Sequence, residues 1–203
     1  MSDGWLELIA RADRKITSWP LQATEAIRYI HSKGVVHCDV GIHNFLVQDD
    51  GTLALADFGG SRVDGSKSQE AGVPRYKRPT LSRDSDPTEI DDLFSLGMVI
   101  YEIKTEQMAY AGKNNGEIRK SLENRRFPDL APLSPGWRVV VSKCWQEGYN
   151  NAEEVLADLN NLSHPDQGRL VISPPPSSLL HYSTRLSAAA VIIVVLWHSL
   201  LRR

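Results

Sequence analysis

Residues His37 to Asn44 read HCDVGIHN, and Asp57-Phe58-Gly59 begins thirteen residues after Asn44. These side chains suit the transfer of a phosphoryl group to a hydroxyl. That reaction needs a carboxylate to orient the attacking hydroxyl or take its proton, oxygen ligands for Mg²⁺, and a scaffold that holds both still. Asp39 can act as the base. Asn44 offers an amide oxygen and Asp57 a carboxylate, hard ligands that suit Mg²⁺ alongside phosphates and water. Between them lies the apolar run Phe45-Leu46-Val47, then Gln48-Asp49-Asp50-Gly51, whose Asp-Gly pair signals a tight turn. Thr52 to Ala56 reads as the return strand. Such a hairpin brings Asn44 and Asp57 together at its open end.

A lone Asp-Phe-Gly or His-x-Asp arises often by chance, and aspartates beside a hairpin are commonly turn or cap residues. The order seen here, with an apolar hairpin between, matches the catalytic and metal loops of protein kinases. Over roughly residues 4 to 162 the chain resembles the C-terminal lobe of that family. The fold this implies is mainly α with small β-hairpins. The resemblance makes Asp39 the residue that orients the substrate hydroxyl. It makes Asn44 and Asp57 the Mg²⁺ ligands, and it packs Leu46 under the adenine of ATP.

Other elements agree. Asp92 to Glu102 is apolar on nearly every face, as in a helix enclosed by protein, and it resembles the buried central helix of the lobe. The family aspartate matching Asp92 tethers the catalytic-loop backbone. Pro20 to Lys33 has near-helical apolar spacing, with Gly34 at the stop position. Cys144-Trp145 and the amphipathic stretch Ala152 to Leu162 resemble the last two helices. Aminoglycoside and choline kinases share the His-x-Asp-x-x-x-x-Asn pattern, but the Asp92 helix and Cys144-Trp145 favour the protein-kinase group.

The chain departs from the pattern at several points. Gly41 replaces the catalytic-loop Lys of Ser/Thr kinases and resembles the small residue of tyrosine-kinase loops. His43 stands at that loop's Arg, and is only partly protonated near neutral pH. Cys38 replaces the Arg that reads activation-segment phosphorylation. Arg78-Pro79-Thr80 stands where Ala-Pro-Glu is expected, and the Arg that pairs with that Glu is absent from Gly148 to Asn151. The expectation is that both partners of this ion pair are lost together, leaving no unpaired charge. Upstream, 36 residues precede His37, with no Gly-rich loop and no Val-Ala-x-Lys strand among them. The small lobe that grips ATP is therefore expected to be missing.

Gly60 to Thr80 reads as an activation segment. Ser61, Ser66 and Ser68 are candidate phosphorylation sites by position, and Val73-Pro74-Arg75-Tyr76 is the expected peptide-docking turn. His37, Cys38, Asp39 and His43 also resemble a metal cluster on paper, although the family buries the equivalent of His37 in its core.

The length of 203 residues suits one domain, 1–162, followed by a Pro- and Ser-containing linker, 163–185, and an apolar tail, 186–203. The net charge of -2 gives no electrostatic case for nucleic acid. Cys38 and Cys144 look unpaired, and Met1 to Ala10 lacks signal-peptide character, so the expected location is intracellular. The run 186–201 is a candidate membrane anchor. Its 16 residues cover about 24 Å as a helix, less than a usual bilayer core. Flanking Arg185, Arg202 and Arg203 could narrow the gap. Two functions remain open: an ATP-dependent protein kinase acting on Ser/Thr or Tyr, truncated in this chain, or a catalytically inactive pseudokinase that binds a protein partner.

Overall fold

The computed structural model describes residues 18–63, 66, 72–79 and 86–163. The chain divides into two units, 1–168 and 169–203, and all described residues belong to the first. The described part is mostly helical, with two small antiparallel sheets.

Helix α1 spans Trp19–His31. Pro20 sits in its first turn, where a missing N–H costs nothing. Trp19, Ala23, Ile27 and Ile30 recur on one face and are buried, while Glu25, Arg28 and Tyr29 face solvent. Complete burial of Ile27 contributes about 2 kcal/mol. The helix stops at Ser32, and Gly34 follows with φ +70, a left-handed conformation that glycine adopts without penalty.

Strand β1 (Val35–Val36) leads into the catalytic loop and pairs with β4 (Arg62–Val63). Strands β2 (Phe45–Val47) and β3 (Leu53–Leu55) form the expected hairpin, with Phe45 opposite Leu55. Gly51 takes φ +79 in its turn. Two polar contacts dock this hairpin on α1. Trp19 Nε1 donates to the Gly51 carbonyl at 3.0 Å, and Gln22 Oε1 accepts from Leu53 N at 2.7 Å.

Helix α2 (Glu89–Thr105) is buried continuously from Asp91 to Ile103. It is longer at both ends than the apolar core of Asp92 to Glu102 indicates. Asp91 caps its start by accepting the Thr88 N–H at 2.8 Å. Helix α3 (Asn115–Glu123) begins at Asn114, whose side chain accepts from Gly116 N and Glu117 N. Helices α4 (Pro135–Trp145) and α5 (Ala152–Ser163) complete the unit. α2 packs on α4, and α1 on α5. The α2–α4 approach is close at Gly97, where an added Cβ would meet Cys144 Cβ at 2.5 Å.

Candidate active site

Asp92, only 1% exposed, is the anchor of the site. Its two oxygens accept from His37 N at 2.7 Å and Cys38 N at 2.9 Å. A third contact comes from His31 Nε2 on α1, 2.9 Å from Oδ2. One carboxylate thus ties the catalytic loop to two helices; the resemblance implied the tether to the loop backbone, and the contact with α1 adds to it. His37 is buried, with Nε2 3.0 Å from the Ala56 carbonyl and its ring 5.0 Å from Phe58. Cys38, immediately before Asp39, takes a left-handed backbone at φ +70.

Asp39 is held on both oxygens. Oδ2 lies 3.3 Å from Asn44 Nδ2 and 3.3 Å from His43 Nε2, and Oδ1 accepts from Val73 N at 3.4 Å. Burial alone would raise its carboxyl, but the hydrogen bond and charge of His43, then Val73 N–H and Asn44, outweigh burial and hold it below the ordinary value. Asn44 is buried. Its amide nitrogen also donates to the Asp39 carbonyl at 2.8 Å, which leaves the amide oxygen as its remaining ligand atom. Ala56 N donates to Asn44 O at 2.8 Å, so the hairpin ladder brings Asn44 next to the start of Asp57-Phe58-Gly59. Asp57 is exposed and left-handed, at φ +60, and Oδ1 accepts from Gly59 N at 3.3 Å.

The donor set fits Mg²⁺: one amide oxygen and one carboxylate, with the other positions left to phosphates and water. Among the described residues no three His, Cys, Asp or Glu side chains converge as a metal cluster, so the His37-Cys38-Asp39-His43 grouping does not form one. Leu46 is 55% exposed and Phe58 46% exposed. Both apolar side chains are thus open to solvent, each within two positions in sequence of Asn44 or Asp57.

The departures have structural explanations. Gly41 has extended backbone, so its conformation does not demand glycine. Space does: an added Cβ would collide with the His43 ring and lie 2.9 Å from Tyr76. Tyr76 in turn donates to Glu102 Oε2 at 2.6 Å and accepts from Ile42 N at 3.4 Å. Ala109 N satisfies Glu102 Oε1 at 2.8 Å. Burial raises the Glu102 carboxyl above its ordinary value. This chain of contacts couples the docking turn to α2 and the catalytic loop. Ser61 donates to the His37 carbonyl at 3.3 Å, and Ser66 Oγ accepts from Val63 N at 3.0 Å. Ser68 lies outside the described residues.

Close to the position of the ion pair expected to be lost, a different ion pair forms. Thr80 lies outside the described residues, but Arg78 bonds Asp91 Oδ1 at 2.7 Å and Glu147 Oε2 at 2.8 Å. Its position follows the docking turn, and Glu147 follows α4. A bridge joins these two elements with the cation and anion exchanged relative to the family pattern. Nothing local in the sequence marks this pair, because its members lie 69 positions apart. Glu102 was also missed, although a carboxylate inside an otherwise apolar helix is a readable signal of a buried partner.

The protein kinase domain family matches residues 6–162, and the chain belongs to that family. It is 28% identical over 133 residues to the serine/threonine/tyrosine-protein kinase HT1 of Arabidopsis thaliana, covering 63% of this chain and 34% of that protein. It is 32% identical over 133 residues to mitogen-activated protein kinase kinase kinase 20 of the same plant, covering 59% and 38%. Against the serine/threonine-protein kinase Nek1 of Mus musculus the identity is 29% over 122 residues, covering 58% and 10%. The matched region spans less than two fifths of each of these three relatives.

Among the described residues no helix is long and apolar enough to cross a membrane. The candidate anchor at 186–201 and nearly all of the linker lie outside them. Cys38 and Cys144 are not joined in a disulfide.

Proposed function

We propose that this chain carries the phosphotransfer half-site of a protein kinase, with ATP as phosphoryl donor and a protein hydroxyl as acceptor. The supporting observation is the arrangement of Asp39, Asn44 and Asp57. Asn44 spends its N–H groups on Asp39, so its oxygen and the nearby Asp57 carboxylate remain as ligands. In this reading Asn44 and Asp57 hold Mg²⁺, which when bound neutralises charge on the nucleotide phosphates. Asp39, kept ionised by His43, Val73 and Asn44, orients the acceptor hydroxyl. Exposed Leu46 supplies an apolar seat for adenine. The relatives' names include serine/threonine and serine/threonine/tyrosine kinases, so either hydroxyl class fits the reading. The acceptor is an intracellular protein, and the 186–201 run acts as a membrane anchor. Flotation of the full chain with lipid vesicles tests that last element, and a chain left at the bottom of the gradient removes it.

One observation favours a second reading, the inactive pseudokinase that binds a partner. Gly41 cannot accept a lysine while the His43 ring and Tyr76 occupy the space beside it. One experiment separates the two: thermal denaturation of the full chain with ATP, with and without Mg²⁺, with Asp57→Asn as control. At ligand one hundredfold above Kd, binding adds about 2.7 kcal/mol, a readily measured rise in Tm. A rise that needs both Mg²⁺ and Asp57 supports phosphotransfer. No rise in the folded chain refutes that reading.

A further inference from the structure

The docking turn and the two residues after it carry three cations: Arg75, Lys77 and Arg78. Two are committed. Arg75 Nη1 donates to the Ala109 carbonyl at 2.7 Å, and Arg78 joins Asp91 and Glu147. Lys77 is exposed and has no side-chain hydrogen bond or ion pair among the described residues.

Its stem nevertheless runs toward the catalytic carboxylate. A Cβ placed on Gly72 would lie 3.1 Å from Lys77 Cε, 3.3 Å from Asp39 Oδ1 and 3.5 Å from the Cys38 carbonyl. Lys77 and Asp39 therefore flank a single point, and only the absence of a side chain on Gly72 keeps that point open. Gly72 has φ +55, which independently favours glycine. The ammonium lies one bond beyond Cε. On the other flank of Asp39, at Oδ2, stands His43, folded over the side-chain-free Gly41. The carboxylate thus has an imidazole on one side and a free lysine on the other.

An ammonium on a flexible stem, with three rotatable donors, suits oxygens that shift position as a phosphoryl group moves. Transfer of that group makes little covalent demand on the protein, so cations near its oxygens are a main source of catalysis. We infer that Lys77 contacts the terminal phosphoryl group of the nucleotide, supplying from the docking turn the cation that Gly41 removes from the catalytic loop. This inference rests on the phosphotransfer reading. Lys77 makes and breaks no bond; it stabilises charge on the group that Asp39's hydroxyl partner attacks.

The test is calorimetric titration of the full chain with ATP and with ADP, each with Mg²⁺, using the parent, Lys77→Ala and Lys77→Arg. The parent prefers ATP over ADP. Lys77→Ala weakens ATP binding about tenfold, as for one lost charge-assisted contact, and leaves ADP binding within about twofold. Lys77→Arg retains most of the preference. All three proteins melt alike, because Lys77 is exposed and supports no packing. Three results overturn the inference while leaving the half-site intact: a parent with no preference for ATP, an alanine variant that keeps the preference, or equal losses for both nucleotides. A parent that binds neither nucleotide refutes the phosphotransfer reading itself, and this inference falls with it.

Discussion

Replacing Glu147 separates two opposed contributions. The residue follows α4 at φ +59. Gly148 N donates to the Lys143 carbonyl at 2.8 Å, closing the helix end in the manner that normally uses glycine at this position. Holding a side chain in that conformation costs about 1 kcal/mol. Against this stands the bond from Arg78, whose side chain is 16% exposed while that of Glu147 is 26% exposed. A charge-assisted bond so shielded contributes about 2 kcal/mol. Arg125, 3.2 Å away and half exposed, adds a few tenths at most. Arg78 keeps Asp91 when Glu147 is removed, so its charge is not stranded and the loss stays near 2 kcal/mol. Glu147→Gly should therefore destabilise by about 1 kcal/mol, and Glu147→Ala, which keeps the strain, by about 2 kcal/mol. In an Arg78→Met background the pair is already gone. There Glu147→Gly should stabilise by about 1 kcal/mol, a reversal of sign. Equilibrium urea denaturation of the full chain at constant m-value measures all three differences. A Glu147→Gly protein more stable than the parent refutes the reasoning, because the pair would then contribute less than the backbone strain.

Two further perturbations probe the site. Asp92→Asn puts an amide NH₂ against a buried N–H donor of His37 or Cys38, and should cost about 2–4 kcal/mol. Hydrogen exchange at those two amides should speed up, and unchanged protection there would rule out the tether. Glu102 predicts a pH effect of definite sign. Its carboxyl is raised by burial above the ordinary 4.5. Between those values the folded chain binds more protons than the unfolded chain, so stability falls as pH rises through that window. Glu102→Gln should remove that slope, and a variant with the parent's slope would assign it to another group.

Much of the arrangement was legible from residues close in sequence. The hairpin followed from an apolar triplet, an Asp-Gly turn and a return strand, all within thirteen positions. Local turn chemistry of that kind leaves few alternatives. α1 was readable from Pro20, the spacing of Ala23, Ile27 and Ile30, and Gly34. α2 was readable because a helix apolar on every face has to be enclosed. α3 passed without notice, since its nine residues offer only Ile118 and Leu122 to the core. β1 and β4 also passed without notice, because two-residue strands carry no periodicity.

By itself, the sequence determined which residues could do chemistry and the hairpin that joins Asn44 to Asp57. Only the tertiary structure decided how those residues are held. Asp92 reaches back more than fifty positions to the catalytic loop, and Arg78 reaches forward to Glu147. Gly41 looked like a lost lysine, yet it is the space that the His43 ring and Tyr76 require. Lys77 belongs to no motif in the sequence, and only the fold sets it and Asp39 around one point beside Gly72. The physical reason is common to all four. Local backbone preference is written in neighbouring residues, whereas charge pairing and steric room depend on atoms that only the folded chain brings together.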